Sequence, residues 1–332
     1  MLPNLSIVKK LGSVLLLIYC LLILEFSLPM AFLKGSAQNR LAVHKISFVN
    51  FTQHYKYVML PELSLCDGSR GHNPLLVATV LSVANHSERR RAIRETWASP
   101  RESDSIRTGR VLVFFIISSP VSIHDLYSLQ KEQKKHNDLI VTDLPESYEN
   151  LFMKVYASIV FHQQYCPKAQ FLMKVDDDVV VHLDRMIDLW KRGVGADRSM
   201  FCQIWTKSRP RRDPRSKWYV PKEVWPEPYY PGYCNGPMYI MGKEAGQRVL
   251  DYAQIFPPLT IEDILYTGII AEVADIQRVQ WGVSMMPVSR NVWRGRLRCN
   301  SLKKPVVFSI HSLPSSKHLR KGFERMKAYN CT

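Results

Sequence analysis

Short apolar runs alternate with stretches of helical spacing through the first half of the chain, and this alternation limits the fold more than any other feature. PLLVATVLSV (Pro74–Val83), RVLVFFIISS (Arg110–Ser119), DLIVTDL (Asp138–Leu144) and AQFLMKV (Ala169–Val175) each read as a buried strand bounded by turn residues. RRRAIRETWA, the polar stretch around Ile123–His136 and ENLFMKVYASIVFHQQY (Glu149–Tyr165) carry helical spacing between them. Strands alternating with helices predict an α/β chain with a Rossmann-like, mostly parallel sheet flanked by helices. In such sheets ligands bind beyond the carboxyl ends of the strands, so the chemistry is sought there. ANHSERR follows the first strand where a glycine-rich phosphate loop would stand, which disfavours a dinucleotide or P-loop site. Farther on, PMYIMG (Pro237–Gly242) reads as a strand, and KEAGQRVLDYAQ (Lys243–Gln254) and EDILYTGIIAEVA (Glu262–Ala274) as helices. PVVFSIHS (Pro305–Ser312) reads as a late strand, and the proline- and arginine-rich Arg209–Pro231 as loop.

Ahead of this pattern, the apolar segment Leu11–Leu33 is long enough to span a bilayer, and Lys9 and Lys10 precede it. The positive-inside rule then predicts a cytoplasmic tail (1–10), a signal-anchor transmembrane helix (11–33), a stem (34–71) and a lumenal domain (72–332). The alternative is a signal peptide cleaved after Gly35–Ala37; either reading puts the body of the chain in the secretory pathway. Six cysteines lie beyond the apolar segment: Cys66, Cys166, Cys202, Cys234, Cys299 and Cys331. An even number in an oxidising compartment predicts three bridges, with the pairing open. Glycosylation sequons stand at Asn50, Asn85 and Asn330. The net charge of +16 favours polyanionic or phosphate-bearing partners. Its clusters, Arg89–Arg91, Arg209–Arg215 and Arg294–Arg298, come with no nucleic-acid-binding module, so nucleic acid is not expected.

KVDDDVVV carries the strongest chemical signal. Asp176, Asp177 and Asp178 follow an apolar strand directly, and nothing in strand propensity calls for three adjacent carboxylates. A hard divalent cation resolves their repulsion and holds a diphosphate; an acidic turn is the plainer reading. In RRRAIRETW, Arg90 and Arg94 share one helical face, and Ile93 and Trp97 a neighbouring one. That helix opens at a strand's carboxyl end, so it suits phosphate contact, or else presents a solvated basic face. In IEDILYTG, Asp263 is a candidate general base, although acids also favour helix starts for their dipole. YYPGYCNGPMYIMG offers aromatics for a sugar face or a rigid turn, and His311 offers a metal ligand or a core histidine.

Taken in order, RRRAIRETW, SYENLFMK, FLMKVDDDVVV, YYPGYCNGPMYIMG and EDILYTG resemble the β1,3-glycosyltransferase family of β1,3-galactosyltransferases, β1,3-N-acetylglucosaminyltransferases and Fringe-like enzymes. The likeness spans roughly Pro74–Ala274. It implies a GT-A type fold, a Golgi type II membrane anchor and inverting transfer from a UDP-sugar to a glycan acceptor on lipid or protein, galactose being the first choice of sugar and N-acetylglucosamine the alternative. It also implies Mn2+ held by Asp178 and Asp176, with His311 as a late ligand and Asp177 in the same donor motif. Asp263 would be the base, and Arg90, Arg94 and Trp97 would border the donor; a homodimer is left open. The chain departs from the family pattern at Asn150-Leu151-Phe152 and in the glycine position after Glu262-Asp263. A metal-dependent phosphohydrolase and a non-catalytic glycan-binding protein are the rival readings from other classes.

Overall fold

Burial on both faces explains the central strands. In β4 (Leu76–Leu81, LVATVL) every residue is buried, and alternate side chains enter opposite cores: Leu76, Ala78 and Val80 one, Val77 and Leu81 the other. Such a strand lacks the in-out alternation of a half-exposed one and belongs at the middle of a parallel sheet. The computed structural model describes residues 42–66, 74–120, 122–190, 197–282, 284–285 and 299–331. The apolar segment 11–33 and the cluster Arg294–Arg298 lie outside them. Among the described residues no helix is long and apolar enough to cross a membrane.

Strands β1 (His44–Phe48), β2 (Phe51–Tyr55) and β3 (Tyr57–Met59) come first, followed by β4 and α1 (Ser87–Glu95). Next are α2 (Asp104–Arg107), β5 (Val111–Ser119), α3 (Ile123–His136), β6 (Leu139–Pro145) and α4 (Leu151–Tyr165). The chain continues through β7 (Phe171–Asp176), β8 (Val180–Val181), α5 (Leu183–Trp190), β9 (Ser199–Trp205), β10 (Tyr233–Gly242) and α6 (Lys243–Ala253). A π-helix (Ile264–Ile270) runs into α7 (Ala271–Val273), and β11 (Gln277–Gln280), β12 (Ser309–Ile310) and α8 (Ser316–Ala328) follow; a single 3-10 turn, Leu63–Leu65, lies between β3 and β4. The main sheet has eight strands in the order β11-β9-β10-β7-β4-β5-β6-β3. Its centre, β7-β4-β5-β6, is parallel, as the alternation predicts. β10 lies antiparallel to both β7 and β9, and β3 antiparallel to β6, so the flanks are mixed.

Two expectations need correcting. Residues 44–59 are not stem: β3 is an edge strand of the sheet, and Ile46, Phe48, Tyr55 and Tyr57 are buried in the core beside α4. α4 is buried almost all round because this hairpin segment covers the side that the sheet leaves open. Each large apolar side chain so enclosed contributes roughly 1.5–3 kcal/mol. The late strand shrinks to Ser309–Ile310, which pairs with β8 outside the main sheet. All six cysteines pair: Cys66–Cys166 ties the segment after β3 to the end of α4, Cys202–Cys234 staples β9 to β10, and Cys299–Cys331 closes the C-terminal region.

Candidate active site

The aspartate trio emerges at the carboxyl end of β7, the middle of the sheet, and its members take three different surroundings. Asp177 is 6% exposed, and its carboxylate accepts hydrogen bonds from Ser82 Oγ (2.8 Å), His86 Nδ1 (2.7 Å) and Arg89 Nη1 (2.7 Å). Burial alone would raise its pKa; the hydrogen bonds from His86, Arg89 and Ser82 outweigh that and hold the carboxyl below its ordinary range. Asp177 therefore braces the β4–α1 turn against β7, its carboxylate oxygens meeting donors of Ser82, His86 and Arg89.

Asp176 turns towards Lys174, whose Nζ lies 2.7 Å from Oδ1. The Asp178 carboxylate has no hydrogen bond or ion pair among the described residues, while its carbonyl accepts from Leu313 N at 3.1 Å. Burial, then the negative charges of Asp176 and Asp177, push its pKa up to about 6. The antiparallel pairing of Ile310 with Val180 delivers His311 to the same corner, close enough to feel the charge of Asp176. Burial nevertheless lowers the His311 pKa, which leaves the ring neutral and able to act as a ligand. Among the described residues no three His, Cys, Asp or Glu side chains stand in a metal-holding group. Asp176 is held by Lys174, and His311 Nδ1 shares a hydrogen bond with Ser312 Oγ (2.8 Å). The donor set of Asp178, Asp176 and His311, two carboxylates and an imidazole, still fits Mn2+ in kind.

Lys174 is a hub that sequence reasoning missed. Fully buried in β7, it reaches Asp176, Glu262 Oε1 (2.9 Å) and the carbonyl of Gly236 (2.5 Å). Glu262 is buried and also accepts from Tyr239 OH at 2.7 Å. Lys174 thus joins the aspartate corner to Glu262-Asp263 across β10. A lone lysine inside the apolar run FLMKV is the signal for it, since a buried cation requires acidic partners. Asp263 caps the π-helix, accepting at Oδ1 from Ile264 N (2.9 Å). A β-carbon at Gly236 would lie 2.7 Å from Asp263 Oδ2, so this glycine makes the space that the carboxylate fills. Burial first, then the charge of Glu262, push the Asp263 carboxyl up to about 7 against the pull of Lys174. A carboxyl in that range is suited to take a proton near neutral pH.

The basic helix is placed differently from the expectation. Arg90 is fully buried and donates to both carboxylate oxygens of Glu132 at 2.8 Å, and to the carbonyls of Val83 (2.6 Å) and Ala84 (3.0 Å). Arg94 pairs with Asp138 and Glu132, each at 2.7 Å. Trp97 is fully buried with Nε1 donating to the carbonyl of Val179 at 3.2 Å. All three side chains fasten α1 to the sheet and to α3, so their contribution is to shape. Arg89 and His86, which spacing did not single out, are the residues of this stretch that reach the aspartates. In the aromatic stretch, Tyr230 and Tyr233 are buried and sense the charge of Asp263, while Tyr229 is exposed.

The Galactosyltransferase family profile matches residues 88–281, a span that takes in Asp176–Asp178 and Glu262-Asp263 and ends before His311. The chain is 29% identical over 218 residues to human beta-1,3-galactosyltransferase 9, covering 65% of this chain and 57% of that protein. It is 29% identical over 234 residues to mouse beta-1,3-galactosyltransferase 4 (62% of each), and 29% over 252 residues to mouse beta-1,3-galactosyltransferase 1 (74% and 76%). The chain thus spans about three fifths of the length of the first two relatives. Among solved structures, a glycosyltransferase involved in glycosylation of the major capsid of PBCV-1 shares 10% identity at a TM-score of 0.40, covering 76% of this chain and 99% of that one. With more than half of its length matched by one family profile, this chain belongs to the Galactosyltransferase family.

Proposed function

We propose that the protein transfers galactose from UDP-galactose to a hydroxyl of a glycan acceptor with inversion, forming a β1,3 bond, as a GT-A type enzyme. The observation that carries this is two carboxylates within reach of the charges of Lys174 and Asp176 in a chain of this family: Asp178, with no side-chain partner among the described residues, and Asp263, raised to about 7. The names of its relatives support both the sugar and the linkage. Asp178, with Asp176 and His311, would hold Mn2+, which when bound supplies charge stabilisation for a departing diphosphate. Asp263 takes the proton from the attacking hydroxyl. Glu262 and Lys174 fix where that carboxylate stands relative to the aspartate corner. Attack opposite the leaving group converts an α-linked donor into a β-linked product.

We further infer a single-pass type II arrangement in the Golgi membrane, with the catalytic domain in the lumen. The Lys9-Lys10 pair before the apolar segment supports the orientation, and three disulfides support an oxidising compartment.

The test is to incubate the protein with a panel of UDP-sugars, Mn2+ and mixed glycan acceptors, following UDP release and product mass. Galactosylated product that forms only when acceptor is present is the expected result. Phosphate release independent of acceptor would favour a phosphohydrolase, and glycan binding without turnover, undisturbed by chelator, a binding protein.

A further inference from the structure

The segment between β9 and β10, residues 206–232, leaves and re-enters the sheet at the end where β7 delivers Asp176, because β10 runs antiparallel to both neighbours. It carries seven lysines and arginines against three acids. Some of these cations serve the segment itself: Arg212 donates to the carbonyls of Val220 (2.7 Å) and Trp225 (2.5 Å), and Arg215 pairs with Asp213 at 2.9 Å. Lys217 does not. It has no acidic partner among the described residues, and its Nζ stands 4.5 Å from the ring centroid of Trp218 and 5.5 Å from that of Tyr148. Glu149, the acid next to Tyr148, turns instead to Ser147 and its own backbone.

Trp218 and Tyr148 are 46% and 37% exposed, and Tyr148 lies within reach of the charge of Asp263. Exposed aromatic faces beside a base that must meet a sugar hydroxyl form a surface for a sugar ring. A cation held over these rings recruits negative charge, since a neutral sugar leaves it without a counter-ion. Arg209 repeats the arrangement over the exposed Tyr229, with its guanidinium 5.1 Å from the ring centroid.

We propose that the acceptor is an anionic glycan, its sugar ring lying on Tyr148 and Trp218 beside Asp263 and its carboxylate or sulfate ester meeting Lys217. This rests on the transfer reading above and adds the acceptor's chemical class.

The test uses the full chain and disaccharides that differ in one group only: a neutral hydroxymethyl, a uronate carboxylate or a sulfate ester. Binding is followed by saturation-transfer NMR and turnover by UDP release. The acidic members are expected to bind about tenfold more tightly than the neutral one, with an advantage that shrinks as salt is raised. Lys217→Met brings the ratio below about threefold, whereas Lys134→Met on the exposed face of α3 leaves it as it was. Whichever acidic member binds better names the anion. Equal or tighter binding of the neutral member overturns the proposal, and with turnover intact it does so without touching the transfer reading. Absence of UDP release with every acceptor removes the transfer reading, while the binding ratio still decides this one.

Discussion

At the scale of single residues, burial and neighbouring charge decide when Asp263 can take a proton. It shares its surroundings with Glu262, Lys174 and Asp176, and burial with the charge of Glu262 raises it to about 7. A general base must be unprotonated, so transfer should rise with pH through about 7 and level off above it. Asp263→Asn should lower kcat by roughly a hundredfold or more and abolish that limb, with the circular dichroism spectrum unchanged. The sign for stability is the opposite. A carboxyl whose folded pKa lies above its ordinary 3.8 gains stability as pH falls through about 7, the gain being complete below the ordinary value. At pH 8 the charge is a burden, so Asp263→Asn should melt higher than the parent there and lose the advantage by pH 5. Gly236→Ala places a β-carbon 2.7 Å from Asp263 Oδ2 and displaces the carboxylate. Its kcat should fall by about tenfold or more with KM for the donor little changed, which steady-state kinetics reads directly. The sequence singles out the aspartates and Asp263 because charge at the end of an apolar strand or helix is conspicuous. It misassigned Arg90 and Arg94 because spacing shows that two residues share a face and not which way the face looks. Here Glu132 and Asp138 draw both inward.

At the scale of elements, long apolar runs were legible and short mixed ones were not. The helix at Ile123–His136 and the strands from Leu76 to Asp176 fall where periodicity puts them, since burial on one stripe or on both faces writes itself into composition. β2 reads FTQHY, with every second residue only partly covered, and three short strands in succession look like a polar stem. The spacing over Glu262–Ala274 predicts an ordinary helix where the π-helix stands. Its irregular turn depends on Thr267, which donates to the Asp263 carbonyl at 2.5 Å and accepts from Cys234 N at 2.8 Å, a contact remote in sequence. The cost of mistaking β1–β3 for stem is measurable. Phe48 is 4% exposed and meets the rings of Phe51, Phe152, Tyr156 and Tyr266. Phe48→Ala should destabilise the domain by about 3–5 kcal/mol in chemical denaturation, where a stem residue would cost next to nothing.

At the scale of the whole molecule, the corner around Asp178 gathers parts of the chain that are far apart in sequence. β7 supplies the aspartates, β12 and the residues after it supply His311 and the amide of Leu313, and β10 and the π-helix join through Lys174 and Glu262. A ligand bound there connects these parts, and anything that binds the folded state alone stabilises it by mass action. Mn2+ with UDP at about a hundred times its dissociation constant should add about 2.7 kcal/mol, which for a domain of this size is a rise of several degrees in melting temperature. Asp178→Ala should abolish that rise and leave the melting temperature without ligand at or slightly above the parent's, since it removes a carboxylate that burial and two like charges disfavour. Chelator should reverse the shift in the parent and do nothing to the variant. A parent whose melting temperature ignores Mn2+ and UDP, or an Asp178→Ala protein that still responds to them, would show that the cation is not held at this end of the sheet.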